Sequence, residues 1–156
     1  MKFDLTNLVT NLVDFIDIDE KVIIPKALME KSTIRKLNNV NFKGKITRDY
    51  DLNIVLEGII NGEMILPDDI TLEDVSVSFN SKVEETLETI NNTVDILELL
   101  WQNILIEVPL KVRDPKNADI HLEGDGWRLI TEDELNNNKN NPFSDLAKLL
   151  DEKGRE

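Results

Sequence analysis

Few residues in this sequence are of the types that perform catalysis, and their spacing matches no common catalytic motif. The chain has one histidine and no cysteine. This excludes disulfides, thiol nucleophiles, thiolate-ligated zinc or iron–sulfur sites, and a multi-histidine metal site within one chain. No glycine-rich phosphate loop, nucleophile elbow or zinc-protease motif occurs. We therefore expect a protein that is not an enzyme, with no catalytic residue, metal or cofactor.

The remaining candidates for chemistry have ordinary explanations. His121 has acidic neighbours and could act as a general base, but an exposed loop histidine is the simpler interpretation. The pairs Asp68/Asp69 and Glu84/Glu85 could bind a cation. With 31 acidic residues in a chain of 156, however, adjacent pairs are expected by chance. A hydrolase or metal-dependent enzyme is the weakest of the functional hypotheses.

Charge is distributed unevenly along the chain. The formal net charge is -13, from 18 basic and 31 acidic residues, which argues against a protein that coats nucleic acid over its whole surface. Yet 26–48 holds seven cations and one anion, for a net charge of +6, whereas 68–98 holds nine acids and one lysine, for a net charge of -8. The acidity is therefore an average over a basic and an acidic segment.

These two segments supply the candidate binding residues. The cations that could contact RNA phosphates are Lys31, Arg35, Lys36, Lys43, Lys45 and Arg48. The residues that could contact a basic protein partner are Asp68, Asp69, Glu73, Asp74 and Trp127. The alternatives are a solvated basic strand face and a tryptophan that anchors a loop.

Hydrophobic periodicity predicts an α+β domain. Alternation over 40–47, 52–64 and 75–79 indicates strands, with turns at 49–51 and 67–69. The stretch 52–64 fits either one long strand or two strands broken by a bulge near Gly58 or Gly62. We expect an antiparallel sheet, either a meander or a partly open barrel, packed against an apolar helix over 93–108.

The first 32 residues are expected to hold shorter elements. Spacings of three and four predict a helix over 4–16, followed by an acidic turn at 17–20. A short strand over Val22–Ile24 and a helical turn over 26–32 follow, with Pro25 between them.

The domain boundary is expected late in the chain. Residues 1–135 read as one domain, 136–141 as an asparagine-rich flexible linker, and 142–154 as a C-terminal helix. No run of 18 apolar residues occurs, and the N-terminus does not read as a secretory signal. We therefore expect no membrane association and a cytoplasmic location.

Four blocks of the sequence carry a resemblance to a known family. They are Gly58–Ile65 leading into Leu66–Val75, the apolar helix ending at Leu105–Val112, the segment Gly124–Trp127, and Asn141–Leu149. In order and spacing they resemble the YceD family of large ribosomal RNA subunit accumulation proteins, in the form found in Gram-positive and mycoplasma-like bacteria.

The sequence also departs from that family. Members often have cysteine at the position of Asp68 and arginine at that of Ile70, and some add cysteine pairs after the apolar helix. This chain has none of these cysteines. The resemblance therefore implies no metal role here, and it leaves the turn around Asp68 with a structural one.

The resemblance implies a non-enzymatic ribosome-biogenesis factor that supports accumulation of large-subunit ribosomal RNA. Its partners would be large-subunit ribosomal RNA precursor, a basic ribosomal protein, or both, and no DNA. The alternative is an acidic protein-binding module that does not contact RNA.

Overall fold

Three long strands of 13 or 14 residues form the centre of the fold. The structure is a computed structural model, and it describes residues 1–117 and 123–128. The helices and strands are given in chain order: β1 (Lys2–Asp4), α1 (Thr6–Val9), β2 (Phe15–Lys21), α2 (Lys26–Met29), β3 (Lys36–Arg48), β4 (Ile54–Pro67), β5 (Asp74–Leu87), β6 (Thr93–Asp95), α3 (Leu97–Ile106), a 3-10 helix (Pro115–Asn117), β7 (Glu123–Gly124) and β8 (Trp127–Arg128).

The contacts divide the chain into two compact units, Met1–Pro115 and Lys116–Glu156. In the second unit, the described residues form the end of the 3-10 helix and a short antiparallel hairpin of β7 and β8. The expected linker over 136–141, the expected helix over 142–154 and His121 all lie outside the described residues.

The first unit is built on an antiparallel sheet in the order β2-β3-β4-β5. Consecutive strands are adjacent, and the sheet does not close on itself. The expected α+β fold with an antiparallel meander is therefore confirmed, and the open meander rather than the barrel is the form observed. A second sheet pairs β1 with β6.

One face of the meander carries the core. Alternate residues of the long strands point to this inner face and are buried, among them Phe42, Ile46, Leu56, Ile60 and Val83. Helix α3 packs against β5 and buries Leu100, Trp101 and Ile104. The predicted apolar helix therefore covers the sheet, as expected.

The predicted helix over 4–16 is wrong beyond its first turns. Helix α1 ends at Val9, and Asn11 adopts a positive φ of 58° that an α-helix does not accommodate. The supposed acidic turn at 17–20 lies inside β2, where Ile16 and Ile18 alternate with Asp17 and Asp19. This period of two indicates a strand. It is hard to recognise in the sequence because the apolar residues before it have helical spacing.

Two smaller expectations also need correction. Val22–Ile24 is outside the strands, although the Val22 N–H donates to the Val40 carbonyl. Helix α3 is shorter than 93–108 because Thr93–Asp95 pairs with β1, and the Asp95 carboxylate accepts a hydrogen bond from the Leu97 N–H.

Of the two alternatives for 52–64, the single long strand is confirmed. Strand β4 is continuous through Gly58 and Gly62, whereas the register shifts in β3 between Asn38 and Asn41. Asn39 has a positive φ of 49°, which asparagine adopts more readily than most residues.

No helix of the described residues is long and apolar enough to span a bilayer.

Candidate functional site: the acidic turn and the outer sheet face

The turn between β4 and β5 is organised by the buried carboxylate of Asp68, whose exposed fraction is 0%. Its Oδ1 accepts hydrogen bonds from the backbone N–H groups of Ile70 and Thr71, at 2.8 and 3.0 Å. Its Oδ2 accepts one from the Asp114 N–H at 2.7 Å and lies 3.8 Å from Arg113 Nε. The carboxylate thus joins its own turn to the segment that follows α3.

Asp69 strengthens the same connection. Its N–H donates to the Val112 carbonyl, and its Oδ2 accepts a hydrogen bond from the Val112 N–H, both at 2.8 Å. Two adjacent carboxylates therefore serve one purpose, which is to attach residues 112–114 to the turn. We call this arrangement of Asp68, Asp69 and residues 112–114 the aspartate clasp.

The clasp keeps Asp68 ionised. Hydrogen bonds from the backbone of Thr71, Asp114 and Ile70 lower the pKa of Asp68 to about 2, against the opposing effect of burial, and the charge of Arg113 lowers it further. An anion held by backbone donors in this way stabilises the fold, and its buried oxygens are not presented to a partner.

Arg35 secures the far side of the same turn. Its guanidinium donates to the Leu72 carbonyl at 2.9 Å and pairs with Asp74, and its own N–H donates to the Ile65 carbonyl. Leu72 has a positive φ of 59°, a conformation that costs free energy in a leucine and that the surrounding contacts must maintain. Arg35, a predicted RNA contact, and Asp74, a predicted contact of a basic protein, therefore pair with each other.

The six predicted RNA-contact cations do not form one patch. Lys43 and Lys45 lie on the solvent-exposed outer face of the sheet, as predicted, whereas Arg48 donates to the Val9 carbonyl at 2.9 Å and holds the end of α1. Lys36 is the first residue of β3, and Lys31 lines a cleft of about 320 Å³ beside Trp101. Lys43 and Lys45 therefore share one face, whereas Lys31 and Arg48 lie elsewhere in the first unit.

The outer face is a mixed surface rather than a basic one. Lys43 Nζ lies 3.4 Å from an Asp19 carboxylate oxygen, and Lys45 Nζ lies 3.8 Å from one of Glu57. On the next strand Lys82 pairs with Glu84 at 2.9 Å. The sequence does not reveal these acids as partners of the lysines. Asp19 falls in a segment that the sequence predicts as a turn, and cross-strand partners depend on a register that one sequence does not specify.

The predicted partner-binding acids are mostly engaged within the molecule. Asp68 and Asp69 form the clasp and Asp74 pairs with Arg35, while Glu73 contributes its backbone carbonyl to the Asp68 N–H. Trp127 lies in β8, opposite Gly124. Towards the end of β5, Glu85 is exposed, and Glu84 is exposed as well but pairs with Lys82.

No cluster of three or more His, Asp or Glu side chains within the described residues could hold a metal ion. The carboxylates of Asp68 and Asp69 accept backbone hydrogen bonds, and those of Asp19, Glu57, Asp74 and Glu84 pair with cations. The arrangement can therefore organise a turn and present charges of both signs, which is chemistry suited to recognition.

Comparison with known proteins finds one informative similarity. The chain is 26% identical over 151 residues to "Uncharacterized protein YlbN" from Bacillus subtilis (strain 168), and the alignment covers 86% of this chain and 87% of that protein. No family model matches the chain. No solved structure matches it either.

Proposed function

We propose that this protein is a ribosome-biogenesis factor of the YceD family, which supports accumulation of large-subunit ribosomal RNA without acting as an enzyme. One observation carries the proposal: four sequence blocks that resemble the family occur in its order, including the segments Leu66–Val75 and Gly124–Trp127. A cytoplasmic location belongs to the same proposal.

The aspartate clasp supports this proposal and explains the departure at the signature turn. The position where the family often has cysteine holds Asp68, whose oxygens accept three backbone hydrogen bonds. In this chain the carboxylate organises the turn, so the turn does not depend on a cysteine at this position.

Between the two classes of partner, the charge arrangement favours a basic protein. Lys43 and Lys45 each lie within 4 Å of a carboxylate oxygen, so an RNA phosphate would have to compete with Asp19 and Glu57 for them. The residues over 68–98 carry a net charge of -8, which attracts a basic protein and accelerates encounter. The second candidate function, an acidic protein-binding module with no RNA contact, rests on this same observation.

Charge reversal on the outer face tests the RNA contact. The double variant Lys43→Glu, Lys45→Glu should reduce co-sedimentation with large-subunit precursors at low salt if these lysines contact phosphates. The variant Lys2→Glu, Lys26→Glu changes the net charge equally at exposed positions elsewhere and serves as the matched control.

The outcome separates the two candidate functions. Weaker co-sedimentation of the first variant alone supports RNA contact at the outer face. Unchanged co-sedimentation, together with capture of ribosomal proteins that survives nuclease treatment, contradicts RNA contact and supports the protein-binding module.

A further inference from the structure

Strand β5 has a long edge that no described strand covers. It pairs with β4 through 14 consecutive residues, and within residues 1–117 and 123–128 no strand pairs with its other side. In an antiparallel sheet, the N–H and C=O groups of alternate residues point towards opposite neighbours. Half of the backbone groups of β5 therefore point outward, and no backbone hydrogen bond from the described part of the chain reaches them.

Several of the usual protections of an exposed strand edge are missing from β5. The strand contains no proline and no glycine, and its register with β4 has no bulge. The opposite edge of the sheet, β2, is half as long at 7 residues and is followed by Pro25. Charged side chains are the one protective feature that β5 retains.

Those charges are mainly negative and lie on both faces of the sheet. Glu84 is opposite Glu57 on the outer face, whereas Glu85 is opposite Leu56 on the inner face and is exposed. Glu88 follows the strand directly and is exposed as well. A strand added along this edge would therefore meet carboxylates beside both of its faces.

We propose that the outer edge of β5 binds an extended basic peptide, which adds as a fifth strand to the meander. Backbone hydrogen bonds would supply part of the affinity, and Lys or Arg side chains at both odd and even positions would pair with the carboxylates. A second copy of this chain would bring the same excess of carboxylates to the edge, which disfavours pairing of two β5 edges. RNA phosphates would meet the same repulsion.

This inference rests on the proposed function for its biological partner, since a basic tail of a ribosomal protein has the required chemistry. Its test does not involve ribosomes. Failure of peptide binding therefore overturns the edge proposal alone, and normal ribosomal precursors after depletion overturn the proposed function alone.

The probe is a peptide of about twelve residues, rich in lysine and threonine, with lysines at odd and even positions. Hydrogen exchange of the full-length protein is measured with and without it. We expect alternate β5 amides to exchange rapidly in the free protein and to become protected by the peptide. A peptide with the lysines replaced by glutamate, and a single-stranded RNA of similar length, should give no protection.

A matched pair of variants separates this edge from the other. Glu84→Gln, Glu85→Gln should weaken peptide binding about fivefold, because the pair with Glu85 is lost and Lys82, which pairs with Glu84 in the free protein, is left as an unbalanced cation. Asp17→Asn, Asp19→Asn makes the same charge change on β2 and should leave the affinity unchanged. The proposal is overturned by β5 amides that are already protected in the free protein, by equal protection from RNA, or by equal weakening in both variants.

Discussion

At the scale of single residues, two glycines set the packing at the centre of the sheet. Gly44 and Gly58 are opposite each other in the β3–β4 ladder, and the end of the Phe42 ring occupies the space where a side chain would begin. A Cβ built on Gly58 would lie 2.6 Å from both the Lys43 carbonyl oxygen and Phe42 Cζ. Such distances require the backbone to shift.

Gly58→Ala should therefore destabilise the protein by about 1–3 kcal/mol, the typical cost of overpacking. Denaturant unfolding measures this free energy. Gly62→Ala is the matched control, because a Cβ there lies 3.0–3.1 Å from Val40 and Phe79 and needs only a small adjustment. A loss at Gly58 no larger than that at Gly62 would contradict this account of the central packing.

Asp68 makes a prediction about pH. Its folded pKa of about 2 lies below the ordinary 3.8, so its ionised form stabilises the native state above pH 3.8, and this contribution is lost as pH falls towards 2. Asp68→Asn should lower the melting temperature at neutral pH, because an amide nitrogen would face backbone N–H donors. It should also flatten the decline of melting temperature between pH 4 and pH 2.

The comparison with wild type decides whether the clasp works in this way. Wild-type protein should show the steeper decline over that interval. An Asp68→Asn variant that keeps the wild-type slope would show that other carboxylates account for the acid sensitivity.

At the scale of elements, α3 is expected to contribute much of the stability of the first unit. Leu100 on its buried face is fully enclosed, whereas Ile106 at its end is 77% exposed. Leu100→Ala should destabilise by about 2–5 kcal/mol, from lost burial and the cavity left behind. Ile106→Ala should change the free energy of unfolding by less than about 0.5 kcal/mol. Similar losses in both variants, measured by denaturant unfolding, would contradict the observed orientation of the helix.

The long strands and α3 could be predicted from the sequence because their hydrophobic periods are clear over many residues. Strand β2 could not be predicted, because the apolar spacing of Leu12, Val13 and Phe15 fits a helix as well as a strand. Pairing with β3 determines that this segment leads into a strand. The extra pairing of β6 with β1 likewise depends on contacts distant in sequence.

Only part of the candidate site could be predicted, because the rest depends on contacts between residues distant in sequence. The sequence places Lys43 and Lys45 on a solvent-exposed strand face correctly, but their carboxylate partners come from neighbouring strands. The role of Asp68 depends on a backbone donor 46 residues away, which no local pattern indicates.

At the scale of the whole molecule, the net charge of -13 is not a uniform acidic coat. The basic segment is interleaved with acids by the folding of β2 and β4 on either side of β3. At the end of β5, Glu84 pairs with Lys82, whereas Glu85 and Glu88 are exposed. This distribution is suited to contact with a basic partner, with the lysines of the outer face nearby.

Depletion of the protein in its host, followed by gradient profiling of ribosomal precursors, tests the central claim most directly. We expect large subunits and their ribosomal RNA to decrease relative to small subunits, with precursor particles accumulating. Restoring the wild-type protein should reverse the defect. Large-subunit levels and precursor profiles that stay normal after depletion would contradict the proposed role in ribosome biogenesis.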